Sequence, residues 1–219
     1  MFMVLDKNGQ ICGMMVVHVD DGVWAGQGRE FEQAQKKLRS LINIKVEKNG
    51  SFEILGRHVE QTQEGIRVQQ WDYVSKITPI TVPAVRRKCK DAPLTPQERT
   101  QYLSVTQQLS WPARTTMPGL CYRISELQQK ANKATVNDLV QVNSVLKVAQ
   151  QMGRDGTCVW FRKPSVDMGE WMIVAAHDAS FANQPRHRSQ QGHLVSLGPR
   201  RSLDDTKSSP SWLLTGEAR

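Results

Sequence analysis

The run Gly13-Met14-Met15-Val16-Val17-His18-Val19-Asp20-Asp21-Gly22-Val23-Trp24-Ala25-Gly26 constrains this chain more than any other stretch. Two short apolar segments, partly β-branched and bounded by glycine, read as paired antiparallel strands. The Asp21-Gly22 dipeptide predicts the connection between them, which sets Asp20 and Asp21 at the hairpin tip. Adjacent carboxylates repel, and exposing both at a strand junction contributes nothing to folding. A divalent cation relieves that repulsion, since hard cations take oxygen ligands. A pair of such ions can hold the attacking and leaving oxygens of a phosphoryl transfer. An Asp-Asp-Gly sequence also suits a plain polar turn, and the dipeptide alone favours that plainer reading.

The 219 residues suffice for one large domain or two small ones with a real core. The hydrophobic share, 39%, is low for a compact domain, so a polar or loosely ordered fraction is expected. The net charge of +8 suits a polyanionic partner, although a soluble protein without one can carry the same charge. Basic clusters at Lys36-Lys37, Arg86-Arg87-Lys88, Arg186-His187-Arg188 and Arg200-Arg201 are dispersed, as in a groove built from several elements. Cys12, Cys89, Cys121 and Cys158 form no C-x-x-C pair, so neither a zinc site nor a disulfide framework is indicated. A reducing compartment, cytoplasm or nucleus, is the expectation. No secretory signal and no membrane-length apolar run is seen, so no membrane partner is expected.

Beyond the hairpin, Asp6-Lys7-Asn8-Gly9 is a turn that would bring a strand at Phe2 to Leu5 beside it. Phe31, Ala34, Leu38, Leu41 and Ile42 recur at helical spacing, which predicts a helix from Arg29 to Ile42. Strands are expected from Ser51 to Gln61 and from Ile66 to Gln70, and a short helix from Trp71 to Ile77. Residues 79–95, rich in proline around a basic cluster, read as a linker after a first unit at 1–78. Thr95-Pro96-Gln97-Glu98 is a helix start with the elements of a capping box, and Pro112 should stop that helix near Trp111. Two further helices are expected, from Leu120 to Lys130 and from Thr135 to Gly153. The second has an apolar face through Leu139, Val142, Leu146 and Ala149. The helical unit is 96–153. Strands follow at Thr157 to Phe161, at Trp171 to Ala176, which runs into His177-Asp178-Ala179-Ser180-Phe181, and at Gly192 to Leu197, within a unit at 154–198, and 199–219 reads as a loose tail.

Six features stand in one order. His18-Val19-Asp20-Asp21 resembles the aromatic-x-Asp-Asp signature of reverse transcriptase palms. Phe52-Glu53-Ile54-Leu55-Gly56 and Val68-Gln69-Gln70-Trp71-Asp72-Tyr73 follow. Then come Tyr102-Leu103-Ser104 with Gln107-Gln108-Leu109-Ser110-Trp111, Thr116-Met117-Pro118-Gly119, and Asp178-Ala179-Ser180-Phe181 with Arg188-Ser189-Gln190-Gln191-Gly192. From Phe2 to Leu197 the series is similar to the reverse transcriptase and RNase H parts of a Ty1/copia-type retrotransposon Pol polyprotein.

The resemblance implies an α+β fold: a partial reverse transcriptase palm of antiparallel hairpins with a helix, a helical thumb and connection, and an incomplete RNase H-like β-sheet. It implies magnesium (Mg2+) held by Asp20 and Asp21 for nucleotidyl transfer and by Asp178 for cleaving RNA. It further implies an RNA or DNA template-primer or an RNA–DNA hybrid as partner, on the side of Gln70, Tyr73 and Lys76; the basic cluster Arg86, Arg87 and Lys88 is read from its charge as further nucleic-acid contacts. The family's third palm carboxylate belongs to a strand upstream of the hairpin, so the fingers and most of the palm are expected to be missing, with the N-terminal part of the polyprotein as a partner. Gln107, Met117 and Gly119 depart from the family pattern, and Thr215-Gly216-Glu217 does not resemble its later RNase H carboxylates. The isolated chain is therefore expected to do neither reaction; a non-catalytic, basic nucleic-acid-binding remnant is the alternative. No H-E-x-x-H or G-x-S-x-G motif points elsewhere, and Gly26-Gln27-Gly28 lacks the third glycine of a dinucleotide loop.

Overall fold

The structure, a computed structural model, describes residues 1–163, 171–184, 188–199 and 212–218; for 180–184, 188–190, 199 and 212–218 only the backbone is described. It is mixed α and β and divides into two compact units, Met1–Asn49 and Gly50–Arg219.

In the first unit, β1 (Phe2–Leu5), β2 (Ile11–His18) and β3 (Asp21–Gly26) form an antiparallel sheet in sequence order, followed by helix α1 (Arg29–Leu41). The Asp6 carboxylate accepts from the Asn8 and Gln10 amides, both at 2.8 Å, and so closes the first turn. The glycines bounding the hairpin are not turn residues. Gly13 and Gly26 are direct cross-strand partners, and the ring of Phe31 lies on them. A Cβ at Gly26 would sit 2.7 Å from Phe31 Cδ2, and one at Gly13 would run into the same ring. Phe31 is the one apolar side chain buried in this unit. Arg39 on α1 forms a bidentate ion pair with Glu47 and lies over the Trp24 ring.

The second unit begins with an antiparallel sheet of β4 (Ser51–Ile54), β5 (Arg57–Thr62), β6 (Gly65–Gln69) and β7 (Val159–Arg162). Residues 51–69 thus belong to this unit, and β7, expected to open the C-terminal unit, completes their sheet. Between β6 and β7 come α2 (Trp71–Ser75), α3 (Ala84–Lys88), α4 (Pro96–Thr115), α5 (Cys121–Lys130) and α6 (Val136–Arg154).

Both expected helix starts are present. Thr95 accepts from the Glu98 amide while Glu98 accepts from the Thr95 amide, and the Asp138 carboxylate accepts from the Thr135 amide and hydroxyl. The predicted apolar face of α6 meets Tyr102, Val105, Leu109, Ile124 and Leu127 in one core.

Two expectations fail here. Pro112 does not stop α4, which runs to Thr115. Proline leaves the carbonyl four residues back, that of Gln108, without its helical donor. The Tyr73 hydroxyl donates to that carbonyl at 3.2 Å and takes the missing donor's place. The proline-rich stretch 79–95 is not a bare linker, since Ile80 and Val82 enter the core and α3 forms within it. Prolines 79 and 83 bring no N–H, and the peptide of Ile80 between them is satisfied by one side chain. Asn143 Oδ1 accepts from the Ile80 amide and Nδ2 donates to its carbonyl, both at 2.8 Å.

The chain ends in a second antiparallel sheet of β8 (Trp171–Gln184), β9 (Arg188–Pro199) and β10 (Trp212–Ala218), with β9 central. β10 lies within the stretch expected as a loose tail, where Trp212-Leu213-Leu214 is the strand-forming core of an otherwise polar sequence. The expected basic residues Arg186, His187, Arg200 and Arg201 lie outside the described residues. Among the described residues no helix is long and apolar enough to cross a membrane.

Candidate functional site

The acidic hairpin turns two residues earlier than the sequence predicts. His18 pairs with Asp21, so the two-residue connection is Val19-Asp20, and Asp21 with Gly22 already belongs to β3. Val19 has φ +56° and is 86% exposed. A positive φ is uncommon for any non-glycine residue and a genuine outlier for a β-branched one. Nothing packs on Val19 to offset that cost. The second two-residue turn, Leu55-Gly56 between β4 and β5, has positive φ at both positions and places a glycine at one of them, whereas in the first turn Val19 alone has it.

Asp20 and Asp21 are both exposed, and neither has a hydrogen bond or ion pair among the described residues. Two adjacent carboxylates fit part of a hard-cation site, which wants six or so oxygens. Among the described residues no group of three or more His, Cys, Asp and Glu stands together as a metal site. Asp178 lies in β8 of the other unit, paired with Gly192, and its carboxylate accepts from the Ala179 amide at 2.9 Å.

The expected nucleic-acid residues are used differently. Gln70 is buried at the junction of β6 and α2, where its Oε1 accepts from the hydroxyls of Thr115 and Thr116. Its Nε2 has no hydrogen-bond partner among the described residues. Tyr73 repairs the helix at Pro112, and partial burial raises its phenol above the usual range. The Arg86 guanidinium grips Glu98 through Nε and Nη2, each at 2.8 Å, and donates to the Pro93 carbonyl. Glu98 is driven down to about 2, first by that bond and then by the Thr95 amide, against the opposing effect of desolvation. Arg87 donates to the Val82 carbonyl at 2.9 Å. Lys76 and Lys88 remain exposed.

Sequence reasoning missed a second basic group. Arg67 on β6 and Arg162 on β7 both lie on the ring of Trp160, at 4.6 and 4.7 Å from its centre. The signal was present as strand alternation in Ile66-Arg67-Val68 and Val159-Trp160-Phe161-Arg162, but the pairing of β6 with β7 is nonlocal. Comparison with known protein families, with curated proteins and with solved structures finds no match to this chain.

Proposed function

We propose that the chain is a fragment of a retrotransposon RNA-directed DNA polymerase, carrying the back of the palm, the thumb and connection, and the start of an RNase H domain. The observation that carries the reading is the tip of the first hairpin, where backbone strain sits on exposed Val19 beside two unpartnered carboxylates. Strain that packing does not explain is found at functional sites, where geometry is held for chemistry. Asp20 and Asp21 would hold magnesium, which supplies charge stabilisation for transfer of a nucleotide to a primer end. The order of the six sequence features and the strand bearing Asp178 support the same reading.

The test is primer extension on an RNA template, comparing this chain with the chain joined to the reading frame upstream of its first codon. The joined protein is expected to extend the primer with magnesium, and Asp20→Asn or Asp21→Asn to abolish it. This chain alone is expected to be inactive. Extension that ignores both substitutions would overturn the reading, whereas stops or frameshifts upstream would make the chain a relic.

A second reading, a non-catalytic nucleic-acid-binding remnant, is favoured by the net charge of +8 and by exposed Lys76, Lys88 and Arg67. Binding to an RNA–DNA hybrid that falls steeply with salt is its expected signature.

A further inference from the structure

Two segments without an acidic residue lie side by side in the helical part of the second unit. Residues 73–90 carry Lys76, Arg86, Arg87, Lys88 and Lys90, residues 139–154 carry Lys147 and Arg154, and neither segment holds an Asp or Glu. Hydrogen bonds join them in steps along α6. Gln150 donates to the Ile77 carbonyl at 3.2 Å, Asn143 holds the Ile80 peptide at both its N–H and its carbonyl, and the Asn137 amide donates to the Lys90 carbonyl at 2.9 Å. The chain from Ile77 to Lys90 therefore runs antiparallel to the helix, from Gln150 back to Asn137, over about 20 Å at the helical rise. Both α2 and α3 pack on α6.

The three arginines are engaged within the fold, Arg86 with Glu98, Arg87 with the Val82 carbonyl and Arg154 with Gln151. The four lysines are not. Lys76, Lys88, Lys90 and Lys147 are exposed, and none makes a side-chain hydrogen bond or ion pair among the described residues. Of the acids that flank the two segments, Asp138 is held by the Thr135 amide and Lys130, and Asp155 accepts from Gln151, which leaves Asp72 and Asp91 at the outer ends of the first. A line of free ammonium groups thus borders one rigid helix without matching negative charge.

We propose that this line is a binding site for the backbone of a double-helical nucleic acid. Ammonium groups act as point charges on phosphates and read no bases. A duplex carries one negative charge for about every 1.7 Å of its axis, so a straight row of lysines meets phosphates wherever it lands. A single strand is held by stacking on aromatic rings as well as by charge, and residues 74–94 and 136–154 contain no Phe, Tyr or Trp. The proposal rests on the nucleic-acid reading above and deepens it, giving that reading a place and a class of ligand.

The experiment is anisotropy of a fluorescein-labelled RNA–DNA hybrid titrated with the full chain across a range of salt concentrations. The double variant K88Q/K147Q is expected to bind about tenfold more weakly, and its slope of log affinity against log salt should flatten by about 0.9 for each lost phosphate contact. K36Q/K37Q on α1 removes the same charge from exposed lysines outside the line and is expected to bind as the unaltered chain does. K76Q/K90Q should repeat the loss, and it stays informative if K88Q/K147Q misfolds. A folded K88Q/K147Q with unchanged affinity and slope, or an equal loss in K36Q/K37Q, overturns the placement. Displacement by oligothymidylate as effective, charge for charge, as by unlabelled hybrid overturns the duplex assignment, and the same result with polyglutamate overturns the phosphate assignment. No binding by the unaltered chain overturns the nucleic-acid reading as well, whereas binding that ignores the variants overturns only its placement.

Discussion

Residues 1–49 and the helices between 96 and 154 hold their shapes by different means. The helices share a continuous core in which Tyr102, Leu109, Leu139 and Leu146 are essentially inaccessible. The N-terminal unit buries Phe31 alone and leaves Phe2, Met3, Met14, Val16 and Val17 exposed. The paired carboxylates stand in the thinly packed unit, while the well-packed one spends its polar side chains on caps and backbone repairs. Dense packing fixes a fold, whereas the exposed tip rests on a short lever with one firm anchor.

The largest test of that contrast is truncation. Leu139→Ala should cost about 3–5 kcal/mol, as expected for a fully buried leucine, while Val16→Ala should stay within about 0.5 kcal/mol. Thermal or urea melts check both, and similar costs would break the comparison. Phe31→Ala should cost about 3 kcal/mol, confined to the first unit. Hydrogen exchange should quicken across 1–49 and leave the amides of α4 and α6 protected.

Tyr73→Phe should cost about 1 kcal/mol, because it strips the donor from the Gln108 carbonyl. In a Pro112→Ala background the residue-112 amide serves that carbonyl, and the same substitution should cost close to nothing. Equal costs in both backgrounds would remove Tyr73 from its repairing role.

Glu98 sharpens the contrast through pH. Its carboxyl lies near 2 in the folded chain against 4.5 without its partners. The folded state therefore gains stability above pH 4.5 and loses it as pH falls from about 4.5 to 2. Glu98→Gln should flatten that acid limb and cost about 1 kcal/mol at neutral pH, the usual worth of a cap with a solvent-screened pair. The smallest effect belongs to Arg39→Ala, whose pair with Glu47 is exposed. The melting temperature should not move measurably.

The sequence announced what local chemistry controls. Thr95 with Glu98 and Thr135 with Asp138 mark helix starts because a cap needs only residues three apart, and the spacing of Leu139, Val142, Leu146 and Ala149 shows the buried face directly. It hid what depends on distant partners. Pro112 reads as a stop until Tyr73 arrives from thirty-nine positions upstream in the chain. Ile80 reads as linker until Asn143 receives it. At the candidate site the carboxylates were legible but the turn was placed two residues late, since Asp-Gly is the commoner signal and a valine at positive φ is one that propensity argues against. Gln70 and Arg86 looked like surface contacts because burial and ion pairing are set by the assembled core.

The seat of Phe31 on Gly13 and Gly26 has a consequence for inheritance. A missense change at either glycine codon introduces a Cβ where the Phe31 ring already lies, so drift at these two codons disturbs the packing of the unit. Changes at Asp20 and Asp21 remove no packing at all. Sequence decay would therefore be recorded in two separate ledgers. Copies of this chain that keep both glycines but vary at the aspartates would have been retained for their shape, and copies that keep all four for what the tip does.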